Sequence, residues 1–125
     1  MTDEITLTIP RDRALYGVAH LVLGGLGIRL NLTIENLEDL EIALDTLLDS
    51  ARDGENVTIA MKFGEGAIQT RIGPMNDGIR AELEREGGDG VGLRRILDAV
   101  VDDVEVESDD GVDWVRLTKA VEAGR

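Results

Sequence analysis

Gly90-Val91-Gly92-Leu93-Arg94-Arg95-Ile96-Leu97-Asp98-Ala99-Val100-Val101-Asp102-Asp103-Val104 is the stretch on which the fold turns. Leu93, Ile96, Leu97 and Val100 stand at three-, four- and seven-residue spacing, the mark of one face of a helix, and Val104 and Val106 then alternate as a strand. Just upstream, Gly87, Gly88, Gly90 and Gly92 place four glycines in six residues. Such a turn lets the backbone approach another group closely and opens onto the unsatisfied N–H groups of a helix start. Downstream, Asp109-Asp110-Gly111 signals a tight turn, and Val115 and Leu117 fall in a last strand.

Toward the N-terminus, Ile5, Leu7 and Ile9 alternate with Thr6 and Thr8 in a first strand that Pro10 ends. Leu15, Val18, Ala19, Val22 and Leu26 follow at helical spacing, in a helix weakened by Gly17 and expected to break at Gly24-Gly25. Thr33 caps a longer helix from about Ile34 to Arg52, whose packing face is Leu37, Leu40, Leu44, Leu47, Leu48 and Ala51. Asp45 and Asp49 lie one turn apart near the edge of that face. Asp53-Gly54 turns the chain into Val57, Ile59, Met61 and Phe63, and Gly64-Glu65-Gly66 turns it back into Ile68, Thr70 and Ile72, a hairpin stopped by Gly73-Pro74. Asn76 to Glu86 reads as a short acidic helix carrying Ile79 and Leu83. The order βααββααββ implies an α+β fold over residues 1–125, a single domain built as a two-layer sandwich. Its sheet is expected to be mixed, mostly antiparallel, and covered on one face by helices.

Composition narrows the function. The chain of 125 residues is 42% hydrophobic, with one Phe, one Tyr and one Trp, so its core is aliphatic. A net charge of -13 opposes general nucleic-acid binding, because the phosphate backbone rewards the opposite sign. An acidic surface suits a basic protein partner or simple solubility. No cysteine is present, which excludes disulfides and thiolate chemistry, and His20 is the only histidine. The first residues are acidic and no apolar run nears the roughly 20 residues that span a bilayer, so a cytoplasmic protein without a membrane partner is expected.

Two features can carry chemistry. The glycine turn before a helix suits a phosphate, although neither a Gly-Lys-Ser/Thr segment nor the full dinucleotide glycine pattern is present, and Asp89 would oppose an anion if it pointed inward. Its plain alternative is a surface loop. Asp45 and Asp49 can hold Mg²⁺ through oxygens or orient a hydroxyl; as plain surface chemistry they are solvated charges, with Asp49 paired to Arg52. His20 falls off the Leu15–Val18–Val22 stripe with no evident carboxylate triad and reads as a surface or boundary residue rather than a base. Trp114 lies opposite Val115 and Leu117 in strand alternation and reads as a packing or interface residue rather than a ligand-stacking one.

Taken together, these elements resemble the anti-sigma regulatory factors, serine-kinase-like members of the histidine-kinase-type ATPase superfamily that also includes gyrase B. Gly90-Val91-Gly92-Leu93 and the helix after it are similar to the Gly-x-Gly-Leu segment that closes over ATP phosphates in that family. The resemblance implies a regulatory protein that binds ATP and Mg²⁺ and acts in transcription control through a sigma factor or an antagonist protein, with a homodimer open as an arrangement. It implies Asp45 in the place of the family's catalytic Glu, Asp49 in that of its Mg²⁺-binding Asn, and phosphate contacts at Gly88, Gly90, Gly92, Leu93 and Arg94. Three departures accompany it. Asp45 is shorter than Glu, Asp49 adds a charge, and the adenine-binding Asp-x-Gly-x-Gly is replaced by Ile72-Gly73-Pro74-Met75-Asn76-Asp77-Gly78, in which only Asp77, at a shifted offset, can serve as acceptor. Losing such a contact costs roughly 1 to 3 kcal/mol. The resemblance leaves open an ATP-dependent protein-serine kinase of weak or lost activity; the alternative is a degenerate, non-catalytic protein-interaction module of the same fold that no longer binds ATP.

Overall fold

The computed structural model describes residues 3–64, 66–84 and 92–121. Strand β1 (Asp3–Pro10) leads through a single 3-10 turn (Arg13–Leu15) into helices α1 (Tyr16–Leu30) and α2 (Ile34–Leu48). Strands β2 (Asn56–Gly64) and β3 (Ala67–Gly73) follow, then helices α3 (Ile79–Glu84) and α4 (Leu93–Val100) and strands β4 (Asp103–Asp109) and β5 (Val112–Ala120). The five strands form one sheet in the order β1-β2-β3-β5-β4, and every described pairing is antiparallel.

Alternation fixes the register, because a slip of one residue would turn each apolar set to solvent. Ile5, Leu7 and Ile9 stand opposite Met61, Ile59 and Val57, and Val104 and Val106 opposite Leu117 and Val115. Asp110 and Gly111 both take positive φ, 51° and 79°, the conformation of a two-residue hairpin loop, and so deliver Asp109 opposite Val112. Gly64 pairs with Ala67, so the β2–β3 link is one residue shorter than the glycine pattern suggests.

The helices cover one face of the sheet. Leu23 and Leu26 of α1, Leu40, Leu44, Leu47 and Leu48 of α2, Ile79 and Leu83 of α3 and Leu97 of α4 are buried over Ile59, Met61, Ile68, Ile72, Val115 and Leu117. Helix α4 packs on β4 and α2, and α1 packs on the other flank of α2, which leaves α1 at the β1 margin. The opposite face of the sheet is polar, with Arg71 reaching Glu107 and Asp109 and Arg116 reaching Glu105 and Glu107.

Three boundaries differ from the sequence pattern: α3 starts at Ile79 and not at Asn76, whose side chain instead accepts from the Gly78 N–H, and the ends of α1 and α2 move. Helix α1 runs unbroken through Gly24-Gly25 to a left-handed C-cap at Asn31, whose N–H donates to the carbonyls of Gly27 and Ile28. Burial of Leu23 and Leu26 and contact of Gly27 with Leu37 outweigh the low helix propensity of the glycines. Helix α2 stops at Leu48 instead of Arg52, because Ala51 leaves it to form a bridge with Met75.

Candidate functional site

Helix α2 supplies the carboxylates. Its N-cap Thr33 accepts a hydrogen bond from the Asn36 N–H at 3.0 Å, and its buried row turns Leu40, Leu44, Leu47 and Leu48 inward. Glu41, Asp45 and Asp49 then follow at four-residue intervals along one flank, a row of like charges that would repel on an isolated helix. Helix α1 and the turn before it answer that row.

His20 sits between two of the three acids. Its Nε2 is 2.6 Å from Asp45 Oδ1 and its Nδ1 is 3.2 Å from Glu41 Oε2, with the imidazole about one-third exposed. His20 is thus at the boundary, as its place off the apolar stripe suggests, and the two carboxylates beside it are ones that no local pattern reveals, because α2 brings them across the α1–α2 contact. Arg13 takes the third acid in a fork, Nε 3.2 Å from Oδ1 and Nη2 2.9 Å from Oδ2 of Asp49. The Tyr16 hydroxyl donates to Asp49 Oδ1 at 3.3 Å, and Arg11 donates to the Asp49 carbonyl at 2.7 Å. Burial, followed by the Asp49 charge, raises the Tyr16 phenol above its ordinary pKa, with Arg11 pulling the other way. The pairing of Asp49 with Arg52 is not formed; Arg52 reaches Asp77 at 3.3 Å and Glu55 at 3.8 Å.

The segment Gly73–Asn76 is fastened to the end of α2. The Arg52 N–H donates to the Pro74 carbonyl at 3.0 Å, the Asn76 N–H to the Ser50 carbonyl at 3.1 Å and the Met75 N–H to the Asp113 carbonyl at 2.9 Å. Met75 is fully buried. Gly73 lies under Trp114, where a Cβ would fall 2.5 Å from the indole Cδ2, so only glycine fits. Of the packing or interface role expected of Trp114, the structure shows packing, on Gly73 and beneath the Arg71 guanidinium, 4.3 Å from its ring centre. The Asp77 side chain is 97% exposed and turned toward Arg52.

Gly88 and Gly90, with the rest of the glycine turn up to Val91, lie outside the described residues. Gly92 is the N-cap of α4, in extended conformation and without a side-chain cap; Leu93 is buried, and Arg94 Nε bonds Asp98 at 3.2 Å. The structure therefore sets Asp45 on the last turn of α2 and Asp49 at its C-cap, each with its own partner, and leaves Asp77 in solvent. Among the described residues no group of three or more His, Asp and Glu side chains is arranged to hold a metal ion. A groove of about 280 Å³ lies at the far end of α1, between Leu30, Phe63, Ile68 and Val121. No described helix is long and apolar enough to cross a membrane.

No family model matches the chain. It is similar to curated proteins called serine-protein kinase RsbW. That of Listeria monocytogenes is 29% identical over 145 aligned residues, covering 97% of this chain and 89% of the relative. That of Oceanobacillus iheyensis is 29% identical, covering 88% and 82%, and that of Bacillus velezensis 26%, covering 98% and 89%. Among solved structures, the RsbU and RsbW domains of Rv1364c from Mycobacterium tuberculosis superpose with a TM-score of 0.66 at 10% identity, over 95% of this chain. The chain spans about a third of that larger protein, 32%. The structural likeness shows the fold, an antiparallel sheet covered on one face by helices. The sequence likenesses support a domain of the general anti-sigma, serine-kinase-like kind.

Proposed function

We propose that this protein is a regulator of the anti-sigma, serine-kinase-like kind that works by binding a protein partner, a sigma factor or its antagonist. In this reading the fold is kept and the carboxylates of its nucleotide site have been turned to internal structure. The observation that carries it is the closure of the α2 row. Asp45 is held by His20 at 2.6 Å, and both Asp49 oxygens are engaged by Arg13 and Tyr16. A Mg²⁺ ion bound at Asp49 would have to displace a guanidinium fork, and a base at Asp45 would have to leave its histidine. Asp77 faces solvent, not a cleft, and the buried Met75 side chain and the backbone bonds around it fill the end of the segment that stands where an adenine pocket is implied. In this arrangement the residues do not fit a magnesium nucleotide, and no phosphoryl-transfer step is derived from it.

A second reading keeps Mg-ATP, with Asp45 orienting a partner serine, Asp49 on the metal and Gly88, Gly90 and Gly92 on the phosphates. One observation favours it: α4 starts at Gly92 without a side-chain cap among the described residues, and the start of a helix suits an anion. Calorimetric titration of the intact chain with ATP and Mg²⁺, with thermal unfolding alongside, separates the two. The first reading expects no heat and no stabilisation at millimolar nucleotide. Stabilisation of about 2.7 kcal/mol, the value at a hundredfold excess over Kd, that disappears in Asp49→Ala would establish the second. Failure of the chain to form a stable complex with any sigma factor or antagonist domain of its own organism would overturn both.

A further inference from the structure

Between β1 and α1 the chain passes the C-terminal end of α2 on the residues Arg11 to Leu15, none of which is buried. The segment holds its own shape: the Asp12 carboxylate accepts from the Ala14 N–H at 3.0 Å and the Asp12 carbonyl from the Leu15 N–H at 2.8 Å. Its bonds to the end of α2 are polar. Arg11 donates to the Asp53 carboxylate and to the Asp49 carbonyl, and Arg13 forks on the Asp49 carboxylate. The flanks are fixed differently, with Ile9 in the sheet before the segment and Ala19 and Leu23 in the core after it, all buried.

We propose that Arg11–Leu15 is an autoinhibitory strap with two states. Closed, its two arginines occupy the end of α2 and withhold Asp49 and Asp53 from any outside cationic group. Open, it lifts from that end while β1 and the body of α1 stay in place, and two carboxylates four residues apart are bared. In the partner-binding reading, on which this use of the strap rests, Arg11 and Arg13 stand where the side chains of a basic partner would. Docking at the end of α2 then begins with the strap open, and a chain of net charge -13 draws such a partner.

Two features make the strap releasable. The Arg13 and Asp49 side chains are 79% and 43% exposed and Asp53 is 91% exposed, so these pairs are weak and salt weakens them further. Closing also leaves the Arg11 Nε buried without a hydrogen-bond partner among the described residues, a cost that opening relieves. Salt screens ion pairs without loosening apolar burial, so ionic strength acts on the strap and spares the flanks. Local openings of this kind belong to segments with few buried apolar contacts.

Limited proteolysis of the full chain with trypsin, read by mass spectrometry, tests this. Trypsin cuts after arginine, and nicking of the Arg13–Ala14 bond tracks the population of the open strap. The digestion is run at about 0.05 and about 1 M NaCl, where the screening length falls to about 3 Å, with a short arginine peptide in the same tube to correct for the effect of salt on trypsin. Cutting at Arg13–Ala14 should be about threefold faster or more in high salt, the scale of a lost exposed ion pair, while Arg71–Ile72 within β3 stays uncut. Asp49→Asn should show the faster rate already at low salt and lose most of the salt response. Asp53→Asn, which frees Arg11 alone, should do so in part, so the outcome does not hang on one variant. A rate at Arg13–Ala14 that salt leaves unchanged overturns the proposal, as does one that Asp49→Asn leaves unchanged. Acceleration at Arg71–Ile72 in step with it also overturns it, since the whole domain then opens. Neither nucleotide nor partner enters the measurement, so its failure leaves the partner-binding reading standing.

Discussion

If Asp49 is a structural latch, replacing its charge destabilises the chain; if it is kept free for a metal, the same change relieves repulsion along α2 and stabilises it. Asp49→Asn therefore decides by sign. In the folded chain Asp49 accepts a forked bond from Arg13 and a weaker one from Tyr16 at 3.3 Å. The Arg13 and Asp49 side chains are 79% and 43% exposed, so solvent screening confines the ion pair to the exposed range of roughly 0.2 to 1 kcal/mol. The fork, stronger than a single contact, puts the expected loss for Asp49→Asn at about 0.7 kcal/mol. Arg13→Ala should cost a similar amount, and the double variant little more than either, a coupling of about 0.5 kcal/mol. With a urea slope of about 2 kcal/mol/M, each single change lowers the unfolding midpoint by about 0.3 M. The effect should shrink at high salt, where exposed pairs are screened. A rise in midpoint for Asp49→Asn, or additive single changes, would refute the latch and return Asp49 to the role of a waiting ligand.

Three further outcomes are expected. Gly25→Ala should raise monomer stability by about 1 kcal/mol in dilute solution, since the new methyl meets nothing within 4 Å and alanine favours the helix; thermal unfolding reads it directly. Gly73→Ala should cost about 1 to 3 kcal/mol through its clash with the Trp114 indole, and Trp114→Val in the same chain should recover part of the loss. Tyr16, the only tyrosine, can be titrated alone by its phenolate absorbance. Its folded pKa is raised by burial and by Asp49, so its contribution to stability is complete below the ordinary value near 10 and fades as pH climbs through the raised value. Tyr16→Phe should abolish that alkaline loss and leave stability below pH about 10 free of it.

The fold was legible where one element's pattern was enough. Ile5-Leu7-Ile9, Val57-Ile59-Met61 and Ile68-Thr70-Ile72 each announce a half-buried strand by alternation, and Thr33 marks the start of α2 by its capping chemistry. What stayed hidden depends on two elements meeting. The Gly24-Gly25 break failed because burial of Leu23 and Leu26 is a tertiary property, and the end of α2 moved because Ala51 found Met75, 24 positions on. The same holds at the site. Asp45 and Asp49 can be placed on one helix from spacing alone, but His20 and Arg13 reach them from a separate element across a helix interface. The available signal was weak: a carboxylate-free segment preceding a helix with acids at 41, 45 and 49.

That signal joins the substitution at 49 to the architecture around it. An amide in that position, as the resemblance implies, is neutral with or without a metal and makes no demand on its neighbours. A carboxylate in the same position carries its charge always, and here it extends a row that already holds Glu41 and Asp45 in a chain of net charge -13. Without a bound cation that row would push α2 away from any acidic neighbour. The chain supplies the partners itself, the Arg13 guanidinium at Asp49 and the His20 imidazole between Asp45 and Glu41, both from a segment, residues 13–34, that contains no acid. In the proposed reading, the departure from the implied pattern and the packing of α1 on α2 are one change, with Asp45 and Asp49 serving the attachment of the N-terminal segment. An Asp49→Asn, Asp45→Glu chain should loosen that attachment, and amide exchange in α1, but not in α4, should accelerate. Equal acceleration in both helices would mean that the row stabilises the domain as a whole and not the α1–α2 contact.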